Sequence, residues 1–157
     1  MIFPDDPRFF NPPSMLRAIE EQVIESNQCF AADPPAVAKL ILDSLAFRYA
    51  SVLRTLESLC GAKIEGIQIV GGGSQNDYLN QITADATLKP VIAGPVEATV
   101  IGNMLVQAVS AGRFSSLSDA RQHISQSVNL KKFTPQQSAA VKERALRYEA
   151  LEARYLH

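Results

Sequence analysis

The stretch most suited to chemistry is a glycine-rich turn that joins a short apolar run to an amphipathic segment. The run 67–70 is rich in β-branched residues and leads directly into Gly71-Gly72-Gly73-Ser74-Gln75-Asn76, after which Leu79, Ile82 and Ala86 recur at helical spacing. This order predicts a strand, a turn and a helix. Glycine lets a ligand lie against bare backbone, and a helix N-terminus favours a phosphate or another polar group. The turn is therefore the first candidate binding site.

The spacing of this turn differs from the two common phosphate-binding glycine motifs. The dinucleotide pattern GxGxxG requires a third glycine where Asn76 stands, and no GK[ST] follows Gly73. Ser74 and Asp77 fit an N-terminal capping pair for the helix that follows. A tight strand-to-helix connection that binds nothing is the alternative interpretation of the glycines alone, because turns need glycine for geometry.

Other residues of catalytic or metal-binding type are isolated in the sequence. Asp5 and Asp6 lie between two prolines, where turn formation is favoured over a catalytic pair. His123 and His157 have no partners at metal-ligand spacing, so we predict no zinc site. We therefore assign neither a catalytic residue nor a metal ligand to this chain.

The composition is typical of a soluble globular domain. The chain has 157 residues, of which 46% are hydrophobic and 20% charged, and its net charge of −1 gives no basic excess for a nucleic-acid partner. No apolar run approaches the roughly 20 residues of a membrane span, and the first residues lack the features of a signal peptide. Cys29 and Cys60 form no CxxC motif and are expected to be buried free thiols, with a disulfide as the alternative. We expect a protein of the reducing cytoplasm.

Helical periodicity surrounds the turn on both sides. A second strand at 90–93 is predicted to lie parallel to 67–70, which gives an α/β fold, helix-rich with a short parallel sheet. Two such strands make a small sheet for so many apolar helices, so the sheet looks unfinished. Ser14 and Asp33 are candidate N-caps and Gly61 is a candidate helix stop. The predicted helices span about 14–27, 35–60, 77–87, 97–111, 116–127 and 135–154.

Apolar spacing also predicts which side of each helix is buried. The first helix would bury Met15, Ile19, Val23 and Ile24. Helix 35–60 is expected to be central to the core through one long stripe. Its members are Val37, Ile41, Leu45, Tyr49, Val52, Leu56 and Leu59, and the helix 97–111 would bury Val100, Ile101, Met104, Leu105, Ala108 and Val109.

The first 13 residues combine four prolines with three phenylalanines, at positions 3, 9 and 10. Proline excludes regular helix or a central strand here. Three phenylalanines are a large apolar surface to leave in water, so we expect something to cover them.

Several stretches together resemble the FGGY family of carbohydrate kinases, most closely its rhamnulokinases. The similarity extends over nearly all of 1–135 and is more specific than the glycines alone. It is carried by Pro4-Asp5-Asp6-Pro7-Arg8-Phe9-Phe10-Asn11-Pro12, Asp43-Ser44-Leu45-Ala46, Ile69–Asn76, Leu79-Asn80-Gln81, Ala84-Asp85-Ala86, Ala93–Ala98, Ile101-Gly102-Asn103 and Phe133-Thr134-Pro135.

The resemblance implies part of an actin-like ATPase fold of the ribonuclease H-like type. Family members are much longer and have two lobes that enclose a cleft for ATP and sugar; this chain is similar to the last part of the C-terminal lobe. Residues 1–135 would be the C-terminal portion of the nucleotide-binding domain, and 136–157 a C-terminal helix. The family's phosphate-binding hairpin, its sugar-binding residues and its general base all precede the part represented here. Phe3 stands where the family pattern usually has asparagine.

The same resemblance assigns roles to the turn. Gly72 would contact ATP through its backbone, while Gly71 and Gly73 would shape the turn. Gln75 and Asn76 would offer side-chain amides near the adenosine, with bracing of the turn as the alternative role. The cofactor implied is ATP with Mg²⁺, whose ligands lie outside this chain. We interpret the family-matching residues Glu97 and Gly102 as a helix start and a site of close packing.

The function implied for the intact enzyme is ATP-dependent phosphorylation of L-rhamnulose to L-rhamnulose 1-phosphate, in L-rhamnose catabolism. The chain alone would be inactive, and its partners would be ATP or ADP and either the missing N-terminal kinase part or a second copy that covers the apolar N-terminal segment. One alternative is a non-catalytic fragment or interaction module that keeps the kinase fold and docks through the three phenylalanines. Another is a related FGGY kinase for a different ketose or for glycerol.

Overall fold

A computed structural model describes residues 1–125 and 127–156 and contains the six predicted helices. The continuation of the fifth helix through 126 and the remark on His157 lie outside the described residues. The helices are α1 (Met15–Glu25), α2 (Pro34–Cys60), α3 (Asp77–Thr87), α4 (Ala98–Ser110), α5 (Leu117–Ser125) and α6 (Ala139–Tyr155); the strands are β1 (Ile67–Ile69), β2 (Val91–Ala93) and β3 (Lys131–Phe133). Two 3₁₀ turns cover Pro7–Phe9 and Gly71–Gln75.

The sheet is mixed and has the strand order β1-β2-β3. β1 and β2 are parallel, with Ile67 opposite Val91, which confirms the predicted parallel pair. β3 adds an antiparallel strand, with Phe133 opposite Val91, so the short sheet is mixed and only its β1–β2 pair is parallel. The sequence gives little sign of β3 because two of its three residues are lysines, and such a strand lacks the alternation that marks a half-buried one.

Two helix starts and one helix end lie where the sequence predicts them. Ser14 and Asp33 accept backbone N–H groups at the starts of α1 and α2, and Gly61 ends α2 with φ +64°. α6 begins at Ala139 rather than near 135, because Ser138 accepts the N–H of Val141 and caps the helix there.

Only the first part of the predicted apolar stripe of α2 packs into the fold, where Val37, Ile41 and Leu45 are half-buried. Tyr49, Val52 and Leu56 are 40–44% exposed and Leu59 is 78% exposed. The reason is that α3 and α6 pack against α2 on its side of small and polar residues, whose polar groups find partners there. The buried residues of α2 are Asp43, Ser44, Ala46, Phe47, Ala50 and Ser51.

The predicted buried faces of α1 and α4 are only partly right. In α1, Ile19 and Val23 are buried but Met15 and Ile24 are exposed. In α4, Leu105 is buried, Ile101, Ala108 and Val109 are half-buried, and Val100 and Met104 are exposed. Among the described residues, α4 packs mainly against α5, and one short helix cannot cover so wide an apolar surface.

Two of the three phenylalanines in the N-terminal segment pack against other parts of the fold. Phe3 is buried and its ring stacks on Tyr155 with 5.6 Å between centroids, while Phe9 packs against the cluster of Ile2, Ile19 and Val23. Phe10 is 91% exposed. A docking surface made of all three rings is therefore wrong, because the segment folds back onto α1 and α6.

Both cysteines are free, as predicted, but the prediction that they are buried is wrong. Cys29 lies in the connection after α1, and Cys60 is the last residue of α2; both thiols are exposed. Connections and helix ends have few packing neighbours. A cysteine there is exposed even where the surrounding sequence is typical of a helix.

Within the described part of the chain, no helix combines the length and the apolar character needed to cross a bilayer.

Candidate functional site

The glycine-rich turn lies between β1 and α3, at the carboxyl end of the first strand of the parallel pair. Val70 follows β1, Gly71–Gln75 form one 3₁₀ turn, and Asn76 precedes α3. Gly71 has φ +73° and its N–H donates to the carbonyl of Pro95 over 3.1 Å. The Gly94 N–H donates to the carbonyl of Ile69 over 2.8 Å, which ties the end of β2 to the same place.

Hydrogen bonds to main-chain carbonyls hold the turn in one shape. The Ser74 hydroxyl donates to the Gly71 carbonyl over 2.7 Å, and the Asn76 N–H donates to the Gly73 carbonyl over 3.1 Å. From α3, the Asn80 amide donates to the Ser74 carbonyl over 2.9 Å. The turn is therefore fixed from its inner side.

Gly72 and Gly73 lie on the exposed side of the turn. A Cβ at Gly72 would meet nothing within 4 Å, and a Cβ at Gly73 would make an ordinary 3.6 Å contact with Ile69. Neither residue has the positive φ that strains other residues. Packing among the described residues does not require glycine at these two positions, and the backbone there is open to the outside.

The two amides of the turn have different roles. Asn76 is the N-cap of α3 and accepts the Leu79 N–H over 2.9 Å, so the bracing role applies to it. The predicted cap, Ser74, is wrong because its hydroxyl is directed back to Gly71 instead. Gln75 is exposed beside Gly73 and stays a predicted contact of the ligand.

The turn exposes backbone but has no side chain that could exchange protons with a ligand. Residues 71–76 contain no ionisable side chain. Asp77, the next residue, forms an exposed ion pair with Lys131 at 2.9 Å. Among the described residues no group of three His, Cys, Asp or Glu side chains could hold a metal ion. The residues present therefore fit a nucleotide that lies against backbone, and they do not fit a metal centre.

The paired aspartates near the N-terminus have structural partners. Asp6 caps the 3₁₀ turn Pro7–Phe9 and accepts hydrogen bonds from Arg8 and Gln22, which confirms its turn-forming role. These bonds outweigh the effect of burial, and they hold the pKa of the Asp6 carboxyl below its usual value. Asp5 pairs with Arg48 at 2.6 Å. His123 packs against the ring of Phe114.

Asn80 belongs to the site, although the sequence alone assigns no role to it. It is fully buried, and it joins α3 to the turn. Apolar spacing gives no signal for it, because Asn80 does not share the helix face of Leu79 and Ile82, and only the packing of α3 shows that it is buried. A polar group at such a position requires a hydrogen-bond partner.

The chain matches known proteins over most of its length. Residues 1–111 match the family described as "FGGY family of carbohydrate kinases, C-terminal domain". The chain belongs to the FGGY family. Among the FGGY relatives, a protein named rhamnulokinase from Bacteroides thetaiotaomicron is 44% identical over 140 residues, which cover 89% of this chain and 29% of that protein.

Two further FGGY relatives carry the same name. A rhamnulokinase from Pectobacterium atrosepticum is 39% identical over 151 residues, 96% of this chain and 30% of its own length. One from Bacillus subtilis is 39% identical over 131 residues, 83% of this chain and 27% of its own length. The chain thus spans less than a third of each of these relatives.

Membership in the FGGY family confirms the predicted fold class, an actin-like ATPase fold, and shows that the chain represents part of the C-terminal domain. The family match ends at 111, so the division into 1–135 and 136–157 stays a prediction.

Proposed function

We propose that this chain is the adenosine-binding C-terminal part of an ATP-dependent kinase that phosphorylates L-rhamnulose at its 1-hydroxyl. The observation that carries the proposal is the 39–44% identity to proteins named rhamnulokinase over most of this chain. The exposed glycines of the turn support it, because they offer bare backbone at the carboxyl end of a parallel strand, where ligands bind in open α/β sheets.

In this proposal Gly72 contacts the nucleotide through its backbone, and Gly71 and Gly73 give the turn its shape. Gln75 and Asn76 face the adenosine, although the Asn76 oxygen is already engaged as a cap. Transfer of the γ-phosphate needs in-line positioning, donors around the developing charge and a base for the sugar hydroxyl. The chain contributes to positioning by binding the nucleotide at the turn. The base and the Mg²⁺ ligands come from the rest of the enzyme, which we place in the cytoplasm.

The exposed apolar stripe of α2 supports the proposal that another part of the kinase packs against this chain. Tyr49, Val52 and Leu56 line an open groove that reaches Ile67 on β1, the edge strand of the sheet. Monomeric soluble proteins seldom leave a continuous apolar surface of this kind in water. We assign the groove to the N-terminal part of the kinase, and a second copy of the chain is the alternative that light scattering would reveal.

Nucleotide binding is tested by calorimetric titration of the chain with ADP. The parent chain should bind ADP, and Gly72→Val should abolish binding with unchanged circular dichroism, because a side chain at this position meets nothing within the fold. The matched control is Gly112→Asn, a change in a connection that lies apart from the turn and has φ +71°. No binding by the folded parent chain would overturn the assignment of an adenosine site to it.

Kinase activity is tested in a chimera in which this chain replaces the matching last part of the Bacteroides relative. The chimera should phosphorylate L-rhamnulose with ATP, and Gly72→Val in the chimera should remove that activity. The chain alone should give no product. A folded but inactive chimera would favour the alternative of a non-catalytic module.

A further inference from the structure

Asn80 makes the buried contact between α3 and the glycine-rich turn. Its side chain is fully buried, and its Nδ2 donates to the Ser74 carbonyl over 2.9 Å. Ser74 is itself buried, and its hydroxyl donates to the Gly71 carbonyl over 2.7 Å. Two hydrogen bonds in series therefore run from α3 to the first glycine.

This pair of bonds reaches the turn from the side opposite the exposed glycines. Asn80 fixes the main chain of Ser74, and the Ser74 side chain fixes that of Gly71. Gly72 and Gly73 lie between these two fixed points and carry no side chain that could anchor them. Glycine has the largest conformational freedom of any residue, so the exposed backbone keeps one shape only if its neighbours are held.

We propose that Asn80 is a positioning residue for the nucleotide, acting through Ser74. The inference rests on the proposed function of the turn. Asn80 does not touch the ligand; it lowers the entropic cost of binding by holding the turn in its binding shape before the ligand arrives.

A second buried polar group on the same helix provides a matched control. Thr83 follows Asn80 by one turn of α3 and is equally buried. The Thr83 hydroxyl has no hydrogen-bond partner within the described residues. A buried polar group without a partner contributes nothing to holding a neighbouring segment and costs desolvation. Thr83→Val therefore alters the same buried face without touching the bond to Ser74.

The experiment compares Asn80→Leu, Ser74→Ala and Thr83→Val in the full chain. Leucine is close to asparagine in size, has no N–H to donate to the Ser74 carbonyl and buries no charge. ADP titration should give a dissociation constant raised about tenfold for Asn80→Leu and Ser74→Ala, and unchanged for Thr83→Val. Hydrogen exchange should become faster at the Asn76 amide, which donates to the Gly73 carbonyl, in the first two variants, while the amides of α3 keep their rates.

The outcomes separate this inference from the proposed function. If the parent chain binds ADP and both Asn80→Leu and Ser74→Ala bind it as tightly, the positioning role is overturned and the proposed function stands. If exchange accelerates along all of α3 as well, Asn80 only stabilises the helix and the positioning role is again overturned. If Asn80→Leu does not fold, Asn80→Ala decides by the same criterion. A folded parent chain that does not bind ADP overturns both proposals.

Discussion

Arg48 on α2 and Glu152 on α6 form an ion pair of 2.6 Å between residues that are 104 positions apart in the sequence. The second oxygen of Glu152 accepts the Ser51 hydroxyl over 2.7 Å, and Arg48 also pairs with Asp5. Arg48 lies over the ring of Phe3, 5.2 Å from its centroid. One arginine thus connects the N-terminal segment, the longest helix and the C-terminal helix.

Removal of the Glu152 carboxylate should destabilise the chain strongly. Glu152→Ala leaves Ser51 without its acceptor and Arg48 with only the exposed Asp5. Breaking a buried ion pair by removing one partner costs about 3–5 kcal/mol, and the part-exposure of Arg48 places this case near the lower end. Urea denaturation followed by circular dichroism measures the free energy of unfolding.

The pair of Glu143 and Arg147 is the matched control on the same helix. It is an exposed i,i+4 pair of 2.5 Å, and such pairs contribute about 0.3–0.5 kcal/mol. Glu143→Ala should therefore change the unfolding free energy little. Equal losses for the two variants would contradict a structural role for the Arg48–Glu152 pair.

Gly102→Ala should stabilise the chain by about 1 kcal/mol, because glycine in a helix interior has that cost relative to alanine. The sequence predicts close packing at Gly102, and this prediction is wrong for the described residues, where an added Cβ would meet nothing within 4 Å. The companion prediction for Glu97, a helix start, is confirmed because Glu97 is the N-cap of α4. A lower thermal midpoint for Gly102→Ala would show an unseen steric conflict at this position.

Gly71 and Gly72 should respond differently to alanine, although they are neighbours. Gly71 has φ +73°, and an L-residue in the left-handed region costs roughly 1–2 kcal/mol. Gly72 has no positive φ and has free space for a Cβ. Urea denaturation should give a lower unfolding free energy for Gly71→Ala and about the parent value for Gly72→Ala. The reverse order would mean that the turn has another conformation.

Tyr148 should make the chain less stable in alkali. Burial raises the pKa of its hydroxyl above the ordinary value of about 10, and the negative charge of Glu152 adds to this. Above about pH 10 the unfolded chain therefore loses this proton while the folded chain keeps it, so the unfolding free energy falls as the pH rises. Tyr148→Phe should reduce that fall, as urea midpoints at pH 8 and pH 10.5 would show.

The same substitution should have little effect at neutral pH. Within the described residues the Tyr148 hydroxyl has no hydrogen-bond partner, so its removal leaves no other group unsatisfied. The ring of Phe47 stacks on Tyr148 with 6.0 Å between centroids, and phenylalanine would keep that contact. A large loss of stability at pH 7 would indicate that the hydroxyl does have a partner.

The sequence by itself determined the local features of this protein. Apolar spacing, capping residues and glycines specified six helices, two parallel strands and the turn between β1 and α3. These features depend on residues within a few positions of each other, so a single stretch carries the information. The resemblance of the glycine turn and its flanking motifs to FGGY kinases also came from the sequence, and the family match confirms it.

Only the tertiary structure decided which helix faces are buried. Periodicity identifies an apolar side of α2 but not the neighbour that covers it, and the buried polar groups of α2 have partners far away in the chain. Asp43 accepts hydrogen bonds from Tyr78 and Arg144, and Ser51 donates to Glu152. Asn80 gains its role only when α3 folds against the turn. The free energy of a buried polar group depends on its partner, and no local pattern names a partner that lies tens of residues away.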